Sequence, residues 1–243
     1  MRTWIFAKRC GKEVLRDPLN LMFGLGFPVV LLLLLSAIQA NIPVPLFEIA
    51  NLAPGIAVFG LSFITLFSAT LISRDRESAF LQRLYTTPLK SSDFILGYIL
   101  PLIPIGLRQA GLCYLVAMVL GLPVNINILW GVVMILPVAL FYISLGLLCG
   151  SIFNVKQVGG ICGALLTNLS AWLSGGWFDL DLVGGTFRQI AILLPFVHAV
   201  ELERAVVRGN FSGVLPHLLL VAGYTAVITA VAILLFLRQM KRQ

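Results

Sequence analysis

Charge is what this chain has least of. Asp, Glu, Lys and Arg together make up 11% of its 243 residues, and only 10 of those are acidic. A water-soluble domain of this length takes about a quarter of its residues from that group, so a soluble globular fold is excluded. Cysteine is sparse as well: the four cysteines contain no Cys-x-x-Cys spacing, and three of them, Cys113, Cys149 and Cys162, lie in apolar runs. That pattern reads as small core residues rather than a metal framework. There is no Gly-x-x-x-x-Gly-Lys-Ser/Thr loop, no Gly-x-Ser-x-Gly elbow and no His-Glu-x-x-His pair. Nucleotide hydrolysis on this chain and serine or zinc hydrolysis therefore have no sequence support.

Apolar residues fill the space that charge leaves. They form 59% of the chain, and the mean hydropathy is +1.01. At about 20 residues per crossing there is room for about six spans. The runs fall at 19–39, 52–73, 93–120, 126–150, 156–176 and 214–237. The expected fold is an all-α integral membrane protein, a single transmembrane domain over 1–243. Its parts are six transmembrane helices, an N-terminal amphipathic interfacial helix (1–18), a charged segment (74–92) and an external re-entrant segment (177–210).

The basic residues set the expected orientation. Most of the 17 Lys and Arg fall in the N-terminal segment, at 74–92, beside the start of the fifth run and in the C-terminal tail; connections 40–51 and 121–125 carry none. The positive-inside bias puts both termini in the cytoplasm, and it accounts for the net charge of +7 without nucleic acid as a partner. The first apolar run has a basic head like a signal peptide, but Ile38 and Ala40 before Asn41 do not make a small-residue cleavage site, so it reads as a retained helix. Residues 2–17 divide by helical angle: Arg2, Lys8, Arg9, Lys12 and Arg16 on one arc, Trp4, Phe6, Ala7, Cys10, Gly11, Val14 and Leu15 on the other, with Ile5 misplaced. Such a helix is expected in the membrane interface, its basic face on anionic lipid headgroups.

The segment from Arg74 to Gly97 is the most informative. It is too polar to cross a bilayer, yet it stands between two long apolar runs. Glu77, Leu81 and Leu84 share one helical stripe, with Arg76 and Arg83 around it. Thr87-Pro88 ends the helix, because proline disfavours helical geometry at the residue before it. Ser91, Ser92 and Asp93 then offer caps for the next span. The run Arg74, Arg76, Glu77, Leu81, Leu84, Thr87, Pro88, Ile95, Leu96, Gly97 resembles the cytoplasmic coupling segment of ABC-2 type transporter permeases. It departs from that family at Ala79, where Gly is usual, and at Tyr98, where Lys is common.

The resemblance implies a permease subunit of an ATP-driven exporter, with no enzyme activity and no cofactor on this chain. ATP and magnesium would belong to a separate ABC ATPase subunit. That subunit would dock on Arg74, Arg76, Glu77, Leu81, Arg83, Leu84, Thr87 and Pro88. It also implies a second permease subunit, in a homodimer or heterodimer meeting along the first, second and fifth spans. Phe23, Phe27, Phe59, Phe63, Phe67, Arg108, Asn168 and Trp172 are then the candidate pathway residues. The phenylalanines among them point to an apolar or amphipathic cargo, a drug, antibiotic or lipid-like molecule, carried out across the cell membrane, among membrane lipid.

Gly175-Gly176-Trp177-Phe178, the polar stretch to Arg188, and an apolar run around Pro195 too short to span suggest a dip into the outer leaflet and back, similar to the paired external helices of the same family. Arg108 lies about 15 residues into the third span. It either meets Glu201, Glu203 or a polar cargo group, or it snorkels or makes a structural contact. The hydroxyls Ser62, Thr65, Ser68, Thr70 and Ser73 serve either close packing or a mildly polar pathway. Asp179-x-Asp181 reads as an external charged turn, and His198, Glu201 and His217 would need further ligands to hold zinc. Two other functions remain open: a polysaccharide or teichoic-acid exporter permease, and an ion-coupled carrier. The carrier would call for acidic or His residues in mid-span and an internal repeat, and neither is present.

Overall fold

The computed structural model describes residues 2–42, 44–78, 91–176 and 180–240, and these are helical almost throughout, with no strand among them. Along the chain run α1 (Arg2–Leu15), α2 (Pro18–Leu21), a π-helical stretch (Met22–Gly26), α3 (Phe27–Asn41), α4 (Ile49–Gly60) and α5 (Ser62–Glu77). They are followed by α6 (Ser91–Ile99), α7 (Leu102–Val119), α8 (Ile126–Ile152), α9 (Val155–Val158), a second π stretch (Gly159–Leu166) and α10 (Thr167–Leu173). The last four are α11 (Leu180–Val183), α12 (Gly185–Leu193), α13 (Pro195–Val207) and α14 (Phe211–Met240).

Five helices are long and apolar enough to cross a membrane: Met22–Asn41, Ile49–Glu77, Ser92–Val119, Ile126–Ile152 and Phe211–Arg238. At 1.5 Å per residue a helix such as α8 exceeds the ~30 Å hydrocarbon core. The sequence predicts six, and the difference lies at 156–176. That stretch is helical through α9, the π turn and α10, but Lys156, Gln157 and Asn168 dilute its apolar run and it is not among the five. α9 starts on a reciprocal cap, the Asn154 side chain accepting from the Gln157 amide and the Gln157 side chain from the Asn154 amide.

The second span, α4 and α5, is the axis of the molecule. Of its most apolar stretch, 89% is buried, against 11% for the last span. It packs on the first, third and fourth spans, on the second π stretch and on α13. Glycines let the fourth span come close: a Cβ on Gly150 would stand 2.8 Å from Ile72 Cβ, and Gly146 faces Ser68 in the same way. Thr65 Oγ1 donates to the Tyr142 carbonyl at 2.8 Å and Ser68 Oγ to the Ile143 carbonyl at 3.3 Å. Ser62, Thr65, Ser68 and Ser73 are all buried and Thr65 and Ser68 bond across to the fourth span, the packing role, whereas Thr70 is half-buried and lines a small cleft. Val30, Leu34, Leu115, Leu129, Val227 and Leu234 stay exposed, apolar area that lipid would cover.

Candidate functional site

Chemistry gathers at the end of the bundle that carries α1. This helix docks through a stripe of buried residues at helical spacing, Phe6, Cys10 and Val14, with Ala7 beside them. It lies along α6. The Phe6 ring sits in a notch over Gly97 and meets Phe94 and Tyr98 edge-on, with centroids 5.5 and 5.1 Å away. Thr3 donates its hydroxyl to Asp93. The apolar arc read from the sequence thus faces protein, except that Trp4 and Leu15 remain exposed beside Ile5, Lys8 and Arg16.

One member of the basic arc turns inward. Arg9 forms a two-pronged pair with Asp75 at the foot of the second span, Nη2 to Oδ1 at 2.7 Å with Nη1 on Oδ2. Tyr98 of α6 donates its hydroxyl to the same carboxylate at 2.9 Å. Asp75 is 2% exposed and joins three elements: α1, the second span and the start of the third. Burial opposes the Arg9 charge, but the Asp75 carboxylate outweighs it and holds the guanidinium above its ordinary value. Glu13, 2.6 Å from Arg9, has its carboxyl raised by burial, and burial pushes the Cys10 thiol up to about 12.

The neighbours of Asp75 fasten the same foot elsewhere. Arg74 lies 3.9 Å from Asp17, just past α1. Arg76 donates to the carbonyls of Ser151 and, at 2.6 Å, Phe153. Glu77 Oε1 accepts the Val155 amide at 2.9 Å. Arg76 and Glu77 therefore hold the connection between the fourth span and α9, contacts that the sequence did not foretell. Leu81, Arg83, Leu84, Thr87 and Pro88 fall outside the described residues. The sequence points to Asp75 only indirectly. Its signal was an Arg at position 9, next to the apolar arc of an amphipathic helix and needing a counter-charge if that arc is buried.

At the opposite end Arg204 of α13 plays a similar part. Its Nε donates to the Asn51 carbonyl at 3.2 Å, Nη1 to Glu201 at 2.8 Å and Nη2 to the Gly175 carbonyl at 2.9 Å. Gly175 has a φ of +63°, the turn that brings this carbonyl round to the guanidinium. Arg208 reaches the Asn51 side chain. A cavity of about 370 Å³ opens here, lined by Asn51, Gly175, Arg188, Glu201, Arg204 and Arg208 among others. α12 and α13 are two short helices meeting at Leu194-Pro195; Trp177, Phe178 and Asp179 fall outside the described residues.

The expected pathway residues separate. Phe27, Phe59 and Phe63 form one aromatic cluster between the first and second spans, with centroids 5.8 to 6.3 Å apart, and the Phe67 ring lies over Gly24. Phe59, Phe63 and Phe67 are buried within the chain, whereas Phe23, Phe27, Asn168 and Trp172 face outward. Asn168 donates to the Ala164 carbonyl of its own helix at 2.8 Å.

Arg108 does not meet either glutamate suggested for it. Glu201 pairs with Arg204, and Glu203 accepts the Tyr114 hydroxyl at 2.8 Å in a fully buried contact. Arg108 is exposed and lines a recess against α1. His198 and His217 bring their Nδ1 atoms to 2.9 Å, and among the described residues no group of three His, Cys, Asp or Glu stands ready for a metal.

The helical order and the junction at the foot of the second span can be compared with known proteins. No curated protein sequence matches the chain. The family model described as ABC-2 type transporter matches residues 1–207, and this chain belongs to that family of membrane transport components.

Proposed function

We propose that the chain is the permease subunit of an ATP-driven exporter for an apolar or amphipathic cargo, such as a drug, antibiotic or lipid-like molecule. It would cross the membrane six times, with 155–173 as the fifth crossing, both ends in the cytoplasm, and α12 and α13 dipping into the outer leaflet. A separate ATPase subunit would seat under residues 74–90, and a second permease would complete the assembly.

The observation that carries this reading is the Asp75 junction. Residues 79–90 are tethered on one side to Glu77 and on the other to α6. Those two anchors are joined by Asp75 and Tyr98, to α1 by Arg9, and to the fourth span by Arg76. A push on the segment would therefore reach α1 and the second, third and fourth spans together. Tight ion pairs and ring contacts carry displacement where a loose loop would absorb it. With the second span enclosed, a path between two permeases would be lined chiefly by the first span and by 155–173, where Phe23, Phe27, Asn168 and Trp172 face outward. The phenylalanines Phe23 and Phe27 on the first span favour an apolar or amphipathic cargo.

The test is to purify the chain in mild detergent from its native host and identify co-purifying proteins by mass spectrometry, beside an Arg83→Glu variant. An ATP-binding subunit retained by the native chain and lost by the variant is expected. Absence of any nucleotide-binding chain from the native eluate overturns the reading.

A further inference from the structure

The recess beside α1 holds charge that nothing answers. Its volume is about 380 Å³, and its walls include Trp4, Lys8, Lys12 and Leu15 from α1 and Pro101 and Arg108 from the third span. No Asp or Glu lines it. Among the described residues Lys8, Lys12 and Arg108 make neither ion pair nor hydrogen bond. The adjacent Arg9 is doubly paired with Asp75 and Glu13, and Arg204 is fully engaged at the other end. Three cations converging on one recess repel each other unless an anion joins them.

The walls indicate the kind of anion. Apart from the three cations they are apolar, with Trp4 and Leu15 exposed at the rim. From Arg108 the same helical face continues outward through exposed Leu112 and Leu115, one and two turns on. Helical side chains lean toward the helix N-terminus, so the Arg108 guanidinium leans back toward Pro101 and Pro104 and away from those leucines. α7 alone is 18 residues, about 27 Å, close to the thickness of a hydrocarbon core. The recess thus lies beside the first turns of α7, with its cations toward Pro101 and Pro104 and an acyl-compatible face at Leu112 and Leu115. Arginine offers a planar fork to phosphate oxygens and lysine a compact charge, while tryptophan favours the headgroup level.

We propose that this recess is a binding site for one anionic phospholipid. Its phosphate would be held by Arg108, Lys8 and Lys12, and its acyl chains would lie on Leu112 and Leu115. The site lies against α1, which Arg9 and Tyr98 tie to the foot of the second span, so an occupied site clamps the helix that flanks the coupling segment. Its assignment to the inner leaflet rests on the orientation proposed above; the site itself does not.

Native mass spectrometry of the full chain in mild detergent tests it, titrating phosphatidylglycerol or phosphatidylcholine of matched acyl chains. The native chain should retain phosphatidylglycerol about tenfold more strongly, and Arg108→Gln combined with Lys8→Gln should bring the preference to about twofold or less. Phosphatidylglycerol should also raise the thermal unfolding midpoint of the native chain and not of the variant, whose helical circular dichroism confirms its fold. Glycerol phosphate should not displace the lipid. Equal retention of the two lipids by the native chain, an unchanged preference in the folded variant, or displacement by glycerol phosphate each overturns the proposal. Lipid retention is read without the ATPase, so failure here leaves the export reading standing, and failure of the pull-down leaves the lipid site standing.

Discussion

Gly55 and Gly176 stand back to back: a Cβ on Gly55 would lie 2.6 Å from the Gly176 carbonyl oxygen. That contact seats the second span against the chain leaving α10, beside the carbonyl that Arg204 holds. Gly55→Ala should force the two backbones apart and cost about 1–3 kcal/mol, as overpacking does. Gly111, with nothing within 4 Å of its would-be Cβ, is the control. Gly111→Ala should be neutral or stabilise by up to about 1 kcal/mol through helix propensity. Unfolding midpoints of the two variants in detergent should move in opposite directions or differ by that margin.

Removing Arg9 leaves Asp75 buried with only Tyr98 to answer it. Breaking a buried pair from one side costs about 3–5 kcal/mol, and the figure here belongs at or below the low end because Arg9 is one-third exposed. Arg9→Ala should therefore undock α1, and Cys10 reports it. In the native chain Cys10 is buried and its thiol, pushed up to about 12, stays protonated at pH 8 and labels slowly with a maleimide. Labelling at Cys10, mapped by peptide mass, should rise at least several-fold in the variant; an unchanged rate would show that the pair does not hold α1.

The same thiol predicts a pH dependence. Its folded value lies above the ordinary 9.0, so the folded chain binds more protons than the unfolded one as pH climbs. Stability from this group is complete below pH 9 and falls as pH rises toward 12. Cys10→Ala should flatten that alkaline fall in a melting series; a parallel fall in both chains would assign it elsewhere.

Tyr114 and Glu203 form a pair with no slack. Glu203 Oε2 has the tyrosine hydroxyl and Oε1 has no partner, in a contact with no exposure. Tyr114→Phe leaves both oxygens unanswered and should cost about 1–3 kcal/mol. Glu203→Gln keeps an acceptor for the hydroxyl and puts no ionisable group in the buried site, and should cost less or stabilise. Melting midpoints that rank the two the other way would refute this account.

Much of the architecture was legible in the sequence because spans are written in composition. Five apolar runs lie, among the described residues, in helices long and apolar enough to cross a membrane, and α1 ends at Leu15, short of Pro18. The fifth run was harder: its glycines and Lys156, Gln157 and Asn168 leave the reading to packing rather than hydropathy. At the candidate site, the sequence singles out Arg74, Arg76 and Glu77 but not Asp75, which joins three elements there. The resemblance implies ATPase docking for Arg76 and Glu77 and gives no sign of their contacts within the chain; their partners, the carbonyls of Ser151 and Phe153 and the amide of Val155, are backbone atoms without a side-chain signature. Arg108 stands out in the sequence as a charge inside an apolar run. Its neighbours came from α1, about a hundred residues away, where periodicity says nothing about contacts.

The two π stretches, Met22–Gly26 and Gly159–Leu166, both touch α5. A π turn carries about one residue more than an α turn, and handing that surplus along the helix swivels the residues it passes over by about 100°. Phe27 follows the first stretch directly, and Asn168 and Trp172 follow the second within two turns. The pathway residues proposed above, Phe27, Asn168 and Trp172, thus lie just beyond these turns, where a shift of the surplus residue would turn their side chains to a new direction while the helix stays seated on the second span.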